Sequence, residues 1–299
     1  YTHFERRGTF GWFTGWARWV VGGSTAALGL YYLSCLETVP FTGRRHSLMF
    51  VSRSQELAMG RTVFEMEREQ AAATRTLLPD RHPYSRLVHS VGVRVAAVAG
   101  NADVVSGRLD HMQGLNWEYA VVQSSTPNAF VVPGGKVVVY TGLLDLLSSE
   151  DEVAAIIAHE TAHVLARHHA EKMSTMNVFA LWRMFLYAAF GISVPTSLLL
   201  LGFGLPYSRQ AEYEADAIGL RLMSAACYDP LACPSMLTKL AAKEKQLSAG
   251  RHVPEFLRTH PLTNARVEKV RKALPEAAAE YQRRCGAPRA AFAGASAAF

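Results

Sequence analysis

His159, Glu160 and His163 stand in the pattern H-E-x-x-H, inside an apolar run from Val153 to Leu165. On a helix, residues four apart lie one turn apart on the same face, so both imidazoles reach one metal ion with Glu160 beside them. These are the parts of a hydrolytic zinc site, which takes three protein ligands and leaves one position for water. The third ligand must come from elsewhere in the chain. Glu212 is the candidate, because Asp216 follows it by one helical turn and could accept a hydrogen bond from a ligand imidazole, fixing its tautomer. Glu214, between them, points off that face. Glu160 would be the general base that takes a proton from the attacking water and later passes it to the leaving amine. The developing oxyanion needs a stabiliser besides the metal, and His260, before Pro261, is a candidate. His168 and His169 lie beyond the motif and are expected to be solvated. One zinc ion per chain is expected.

Several elements must position these groups. Ser149 and Glu152 form an S-x-x-E box that starts the histidine-bearing helix. Upstream, the pattern from Trp117 to Tyr140 is extended, with Pro133-Gly134-Gly135 as the turn of a hairpin in a small antiparallel sheet. A protease binds its substrate extended, so the strand from Asn128 to Val132 could add a substrate strand at a free edge. Asn128, Ala129 and Phe130, with Gly134 and Gly135 of the turn, are therefore candidate substrate-binding residues. Helical spacing predicts helices over Gln55–Arg75, over Leu87–Val98 ending near Gly100, and over Gln210–Ser224, Pro234–Gln246 and Thr263–Arg284. The expected fold class is α+β and mainly helical.

Two segments are too apolar for an ordinary surface. Val20 to Leu36 carries no charge and follows a Trp-rich, basic flank, which predicts a transmembrane helix over about residues 19–36. Met176 to Pro206 has Arg183 as its one charge and is divided by Pro195, so each half is short for a span. Contact with the membrane is favoured there over plain burial. The expected organisation is an anchor and juxtamembrane segment over 1–54, a metallopeptidase domain over 55–285 that includes the apolar segment 176–206, and an Ala-, Gly- and Ser-rich disordered tail over 286–299.

The chain has 299 residues and a net charge of +6, from 31 Lys plus Arg against 25 Asp plus Glu. The basic residues are scattered and not interleaved with aromatics, which excludes nucleic acid as the main partner and leaves a mild preference for anionic lipid. The four cysteines include no C-x-x-C pair, which argues against a cysteine zinc site and a disulfide-built scaffold. Cys227 and Cys233 lie close together after the Glu212 helix and are a candidate redox pair. Tyr1 rather than Met opens the sequence, so any targeting peptide is expected to precede it.

These motifs resemble those of metallopeptidase family M48, the membrane gluzincins that include the CAAX prenyl endopeptidases and bacterial HtpX. The resemblance rests on His159 to His163, on E-x-x-A-D at Glu212 to Asp216, and on His260-Pro261 with Arg266. Further stretches resemble the stress-activated branch of the mitochondrial inner membrane: Leu36 to Pro40 with Thr42-Gly43-Arg44, Asn128 to Phe130 with Pro133 to Lys136, Tyr140 to Leu144, and Glu214 to Leu220. The resemblance implies an ATP-independent, self-assembling zinc endopeptidase of the mitochondrial inner membrane. Its catalytic domain would face the intermembrane space and cut membrane-tethered proteins such as the dynamin-like fusion GTPase. It also implies a ligand role for Glu212 and a transition-state role for His260. The alternatives are a catalytically inactive or chaperone-like membrane scaffold, against which the intact His159, Glu160, His163 and Glu212 argue, and a bacterial HtpX-type protease.

Overall fold

A computed structural model of the chain describes residues 16–35, 38–46, 48–107, 109–199, 205–248, 260 and 264–296. The start of the aromatic and basic N-terminal flank, part of the 176–206 segment and Pro261 lie outside the described residues. In chain order the elements are α1 (Trp16–Cys35), α2 (Arg53–Ala73), α3 (Pro83–Ala99), β1 (Glu118–Val122), β2 (Ala129–Val132), β3 (Lys136–Tyr140), α4 (Thr141–Leu144), α5 (Glu150–Leu165), α6 (His168–Phe190), α7 (Thr196–Leu199), α8 (Leu205–Ala225), α9 (Ala232–Ser248) and α10 (Asn264–Ser296). The fold is α+β and mainly helical. α10 runs on into the stretch 286–299 that the sequence reading assigns to a tail.

α5 is the axis of the domain. Every residue from Val153 to Leu165 is buried, because α8, α3 and α9 pack around it. Val88, Val91 and Val95 of α3, Ile156 and Ile157 of α5, Ile218, Leu222 and Met223 of α8, and Leu237 and Leu240 of α9 share one core. Burying a side chain of this size contributes about 1.5–3 kcal/mol, so this helix is held chiefly by packing on all sides. Ser149 caps it by accepting from the Glu152 amide at 3.2 Å. The Glu152 carboxylate does not close the box on Ser149. It accepts the Ser148 amide at 2.7 Å and bonds Ser235 and Lys239 of α9, pinning the helix start to its neighbour.

The sheet is mixed rather than wholly antiparallel, with strand order β1-β3-β2. β2 and β3 form the expected antiparallel hairpin, with Gly134 and Gly135 both at positive φ in its turn, while β1 pairs with β3 in parallel. A parallel neighbour requires a crossover, and the connection from β1 supplies β2 at the far side of β3 instead of a second hairpin. Both faces are covered. Val121, Val137 and Val139 face the main core, while Ala120, Val122, Val132 and Val138 pack with Phe64 and Ala71 of α2, the period-two pattern of a strand. The outer edge of β1 is occupied by the segment around Leu77, through Leu78 N–H to Val121 O at 2.9 Å and Gln123 N–H to Thr76 O at 2.7 Å. β2 therefore forms the other edge of the sheet.

Among the described residues no helix is long and apolar enough to cross a membrane. α1 covers most of the span expected over 19–36, but Gly22, Gly23, Ser24, Thr25 and Gly29 dilute its apolar character. The distal part of α6 is exposed around its circumference: Leu181, Trp182, Met184, Phe185, Tyr187 and Phe190 all face outward. Gly191, in the left-handed conformation, ends α6, and Arg183 Nη1 donates to Thr196 Oγ1 of α7 at 2.6 Å.

Cys227 is disulfide-bonded to Cys285, 58 residues away, and not to Cys233. The expected Cys227–Cys233 pair is thus corrected. Cys227 sits just past the end of α8 and faces α10, whereas Cys233 is a buried thiol packed in the core of α9.

Candidate metal centre

α5 presents His159 and His163 on one face, and α8 crosses directly beneath them. At the crossing, a Cβ on Gly219 would lie 3.0 Å from the His159 backbone, closer than side chains usually pack, so glycine eases this approach. Glu212, Asp216 and Gly219 share the face of α8 that meets α5. Four donor groups converge as a result: His159, His163, Glu212 and His260 offer ligand atoms that all lie within 4.8 Å of one another. His159 Nε2 is 3.2 Å from His163 Nε2 and 3.4 Å from Glu212 Oε2, and Glu212 Oε1 is 3.5 Å from His163 Nε2. His260 Nδ1 is 3.3 Å from His159 Nε2 and 3.0 Å from both Glu212 oxygens.

Each α5 histidine has its second ring nitrogen beside a different outer group. His159 Nδ1 lies 3.0 Å from Asp216 Oδ1. Asp216 in turn accepts two hydrogen bonds from Arg266, each 2.8 Å, and the same guanidinium reaches Glu212 Oε2 at 2.9 Å. His163 Nδ1 lies 2.8 Å from His168 Nδ1, and His168 Nε2 is 3.1 Å from Glu214 Oε2. His168 is therefore buried at 4% exposure rather than solvated. It folds back because Arg167, between α5 and α6, adopts a left-handed conformation, fixed by its ion pair with the buried Glu56 at 2.7 Å. Glu214 points away from the donor cluster, as expected.

The charges respond to burial and to these partners. Burial of His159 favours the neutral ring, but Asp216 and Glu212 outweigh it and lift its pKa well above the ordinary value. His163 has a lowered pKa because burial dominates. Burial also raises Glu160, while burial of Glu212 is outweighed by the three imidazoles, which hold its carboxyl ionised.

The donor set fits a metal cation. Two Nε2 atoms face each other at 3.2 Å with a carboxylate and a third imidazole around them, and a single shared proton satisfies one such pair only. With each Nδ1 facing an outer group, Asp216 for His159 and His168 for His163, both Nε2 atoms point into the cluster, as zinc ligation requires. His159, His163 and Glu212 are the residues that could hold the ion. His260 spans the site, since its Nε2 is 3.5 Å from Glu160 Oε1.

Glu160 Oε2 accepts the Val131 N–H at 3.1 Å, while Glu160 Oε1 is buried and has no hydrogen-bond partner among the described residues. Tyr140 N–H donates to Asn128 O, so Asn128 and Phe130 direct main-chain groups toward β3. By alternation Ala129 and Val131, both buried, direct theirs to the edge away from β3, where the Val131 N–H meets Glu160. Gly134 and Gly135 instead face the side chains of Leu57 and Trp117, on the far side of the hairpin turn. Sequence spacing missed Val131 and His168. His168 follows the motif closely, but only the reversal at Arg167 shows that it turns back.

Residues 88–274 match Peptidase family M48. The chain is 38% identical over 266 residues to "Mitochondrial metalloendopeptidase OMA1" of Schizosaccharomyces pombe, covering 87% of this chain and 73% of the relative. It is 37% identical over 257 residues to the protein of the same name from Saccharomyces cerevisiae, covering 85% and 73%. It is 30% identical over 260 residues to "Metalloendopeptidase OMA1, mitochondrial" of Homo sapiens, covering 83% of this chain and 48% of that relative.

Proposed function

The chain belongs to peptidase family M48 and is a mitochondrial zinc metalloendopeptidase, and we propose that His159, His163 and Glu212 hold its metal while Glu160 moves the proton of peptide hydrolysis. The observation that carries this reading is the convergence of the four donors beside a glutamate hydrogen-bonded to an edge strand. When bound, zinc polarises the scissile carbonyl and lowers the pKa of the attacking water to about 7.

The chain's own residues do the rest. A substrate strand adds along β2, its main chain pairing with Ala129 and with the Val131 carbonyl, while the Val131 N–H stays on Glu160 and Asn128 and Phe130 hold β2 to β3. This seats the scissile bond next to Glu160, whose amide partner on β2 fixes the carboxylate toward the strand. Glu160 takes the proton from water and delivers it to the leaving amine; its environment favours the protonated form, which suits the second half of that task. His260 stands across from Glu160, where an imidazole N–H can donate to the developing oxyanion. Asp216 holds His159 in the required tautomer.

The wider setting is part of the same proposal. Residues 1–54 act as anchor and juxtamembrane segment, and 55–285 as the peptidase domain. Support for membrane attachment comes from the exposed apolar side chains of α1, including Trp19, Leu30 and Leu33, and from the apolar distal part of α6. A helix apolar on all faces suits lipid better than a one-sided protein groove. The Cys227–Cys285 disulfide supports a compartment that permits oxidation, in keeping with a catalytic domain in the intermembrane space. By resemblance the enzyme self-assembles and cuts membrane-tethered proteins of the inner membrane, the dynamin-like fusion GTPase among them. The test is metal analysis and cleavage of an unfolded protein substrate. About one zinc per chain, with activity lost on chelation and regained with zinc, is expected; full activity in metal-free protein would overturn the reading.

A further inference from the structure

The loop that follows α1 reaches the metal centre from behind. Nine positions after Cys35, Arg44 lies between two buried carboxylates. Its Nε donates to Glu214 Oε2 at 2.8 Å, and its Nη1 and Nη2 donate to the Glu171 oxygens at 3.1 and 2.9 Å. Thr42 of the same loop donates to Glu214 Oε1. Glu214 is the carboxylate that accepts from His168 Nε2, and His168 Nδ1 faces His163 Nδ1. The loop itself is fixed. Thr38 and Arg45 bridge, Val39 N–H bonds Arg44 O at 2.7 Å, His46 Nε2 lies 2.8 Å from Ala166 O, and the Phe50 and Val51 amides donate to the buried Ser174 of α6.

We propose that Arg44 is a positioning residue for the metal site, acting through Glu214 and His168 on the imidazole of His163. The inference rests on the zinc site proposed above. The hydrogen-bond chain has one consistent polarity. Glu214 can only accept, so His168 carries its proton on Nε2. His168 Nδ1 is then an acceptor, His163 donates to it from Nδ1, and the His163 Nε2 lone pair is left for the metal. Arg44 holds Glu214 where this works. Its planar fork serves Glu171 and Glu214 at once, which a lysine cannot do with the same geometry. Without it, Glu214 and Glu171 are two buried like charges on neighbouring helices, and Glu214 is free to turn from His168. His159 has its own support in Asp216 and Arg266, so each ligand imidazole is oriented by a separate arginine-backed carboxylate. The arrangement ties the segment leaving α1 to the strength of metal binding.

The experiment is a double-mutant cycle on zinc affinity, read by chelator competition in the full chain, with Arg44→Ala, His168→Leu and the double variant. Each single change should weaken zinc binding about 10- to 100-fold, and the double variant should be no weaker than His168→Leu alone, because the effect of Arg44 passes through His168. Arg45→Ala, on the exposed neighbour, should bind as wild type does. Wild-type affinity in Arg44→Ala, or losses that multiply in the double variant, would overturn the relay while leaving the zinc site intact. A wild-type protein that binds no zinc would instead overturn the metal reading. Should Arg44→Ala not fold, Arg44→Lys keeps the charge without the fork and takes its place in the same cycle.

Discussion

Val131 donates its main-chain N–H to Glu160 Oε2 across 3.1 Å, joining the edge strand of the sheet to the motif glutamate 29 positions later. The strand that would receive a substrate and the group that would move its protons are thus in direct contact. Glu160→Gln keeps the size and can still accept from Val131 but cannot take a proton. Turnover of an unfolded substrate should fall at least about 100-fold with zinc content unchanged; loss of zinc in this variant would mean that Glu160 is instead a ligand.

Arg266 supports both Glu212 and Asp216 from a position that is itself buried. Arg266→Ala leaves two buried carboxylates without their cation and should cost about 3–5 kcal/mol in chemical denaturation. Asp216→Asn should be milder in stability and should lower zinc affinity about 10- to 100-fold, since the ring of His159 loses its charged acceptor.

Glu152 gives stability a pH dependence. Burial acts to raise its pKa, but hydrogen bonds from Lys239, the Ser148 amide and Ser235 outweigh it and hold the carboxyl below 4.5. A carboxyl with a depressed folded-state pKa contributes stability that is present above its unfolded value and lost as pH falls through the folded one. Wild type should therefore lose stability to denaturant as pH falls below the ordinary carboxylate range, and Glu152→Gln should lack part of that decline. Parallel curves would refute it.

Peptide mapping without reduction should recover Cys227 joined to Cys285, with Cys233 alkylated only after unfolding. Cys227→Ser with Cys285→Ser should lower stability by about 2–4 kcal/mol. A Cys227–Cys233 link would contradict the fold around α8 and α10.

The exposed apolar end of α6 predicts lipid contact. Trp182→Asp with Phe185→Asp should reduce flotation of the purified full chain with anionic vesicles while leaving zinc content unchanged. Equal flotation of wild type and variant would assign membrane attachment elsewhere.

His159, Glu160, His163, Glu212 and Asp216 are legible in the chain because each helix carries its own part of the site at local spacing, and helical periodicity is a local property. The hairpin of β2 and β3 was equally readable from Pro133-Gly134-Gly135. The parallel partner β1 was not, since two strands joined by a longer connection leave no turn signature to read. Closeness in sequence points from Cys227 to Cys233, whereas the fold brings Cys285 of α10 to it from 58 residues away. Arg44 meets Glu214 across 170 positions, and Val131 meets Glu160 by way of a sheet edge. Nothing local marks such pairs. Local spacing thus names the groups proposed to do the chemistry; what surrounds and orients them comes from the packing of α8 across α5 at Gly219, the reversal at Arg167 and the path of the 38–46 loop, because orientation depends on contacts that exist only once distant segments are buried together.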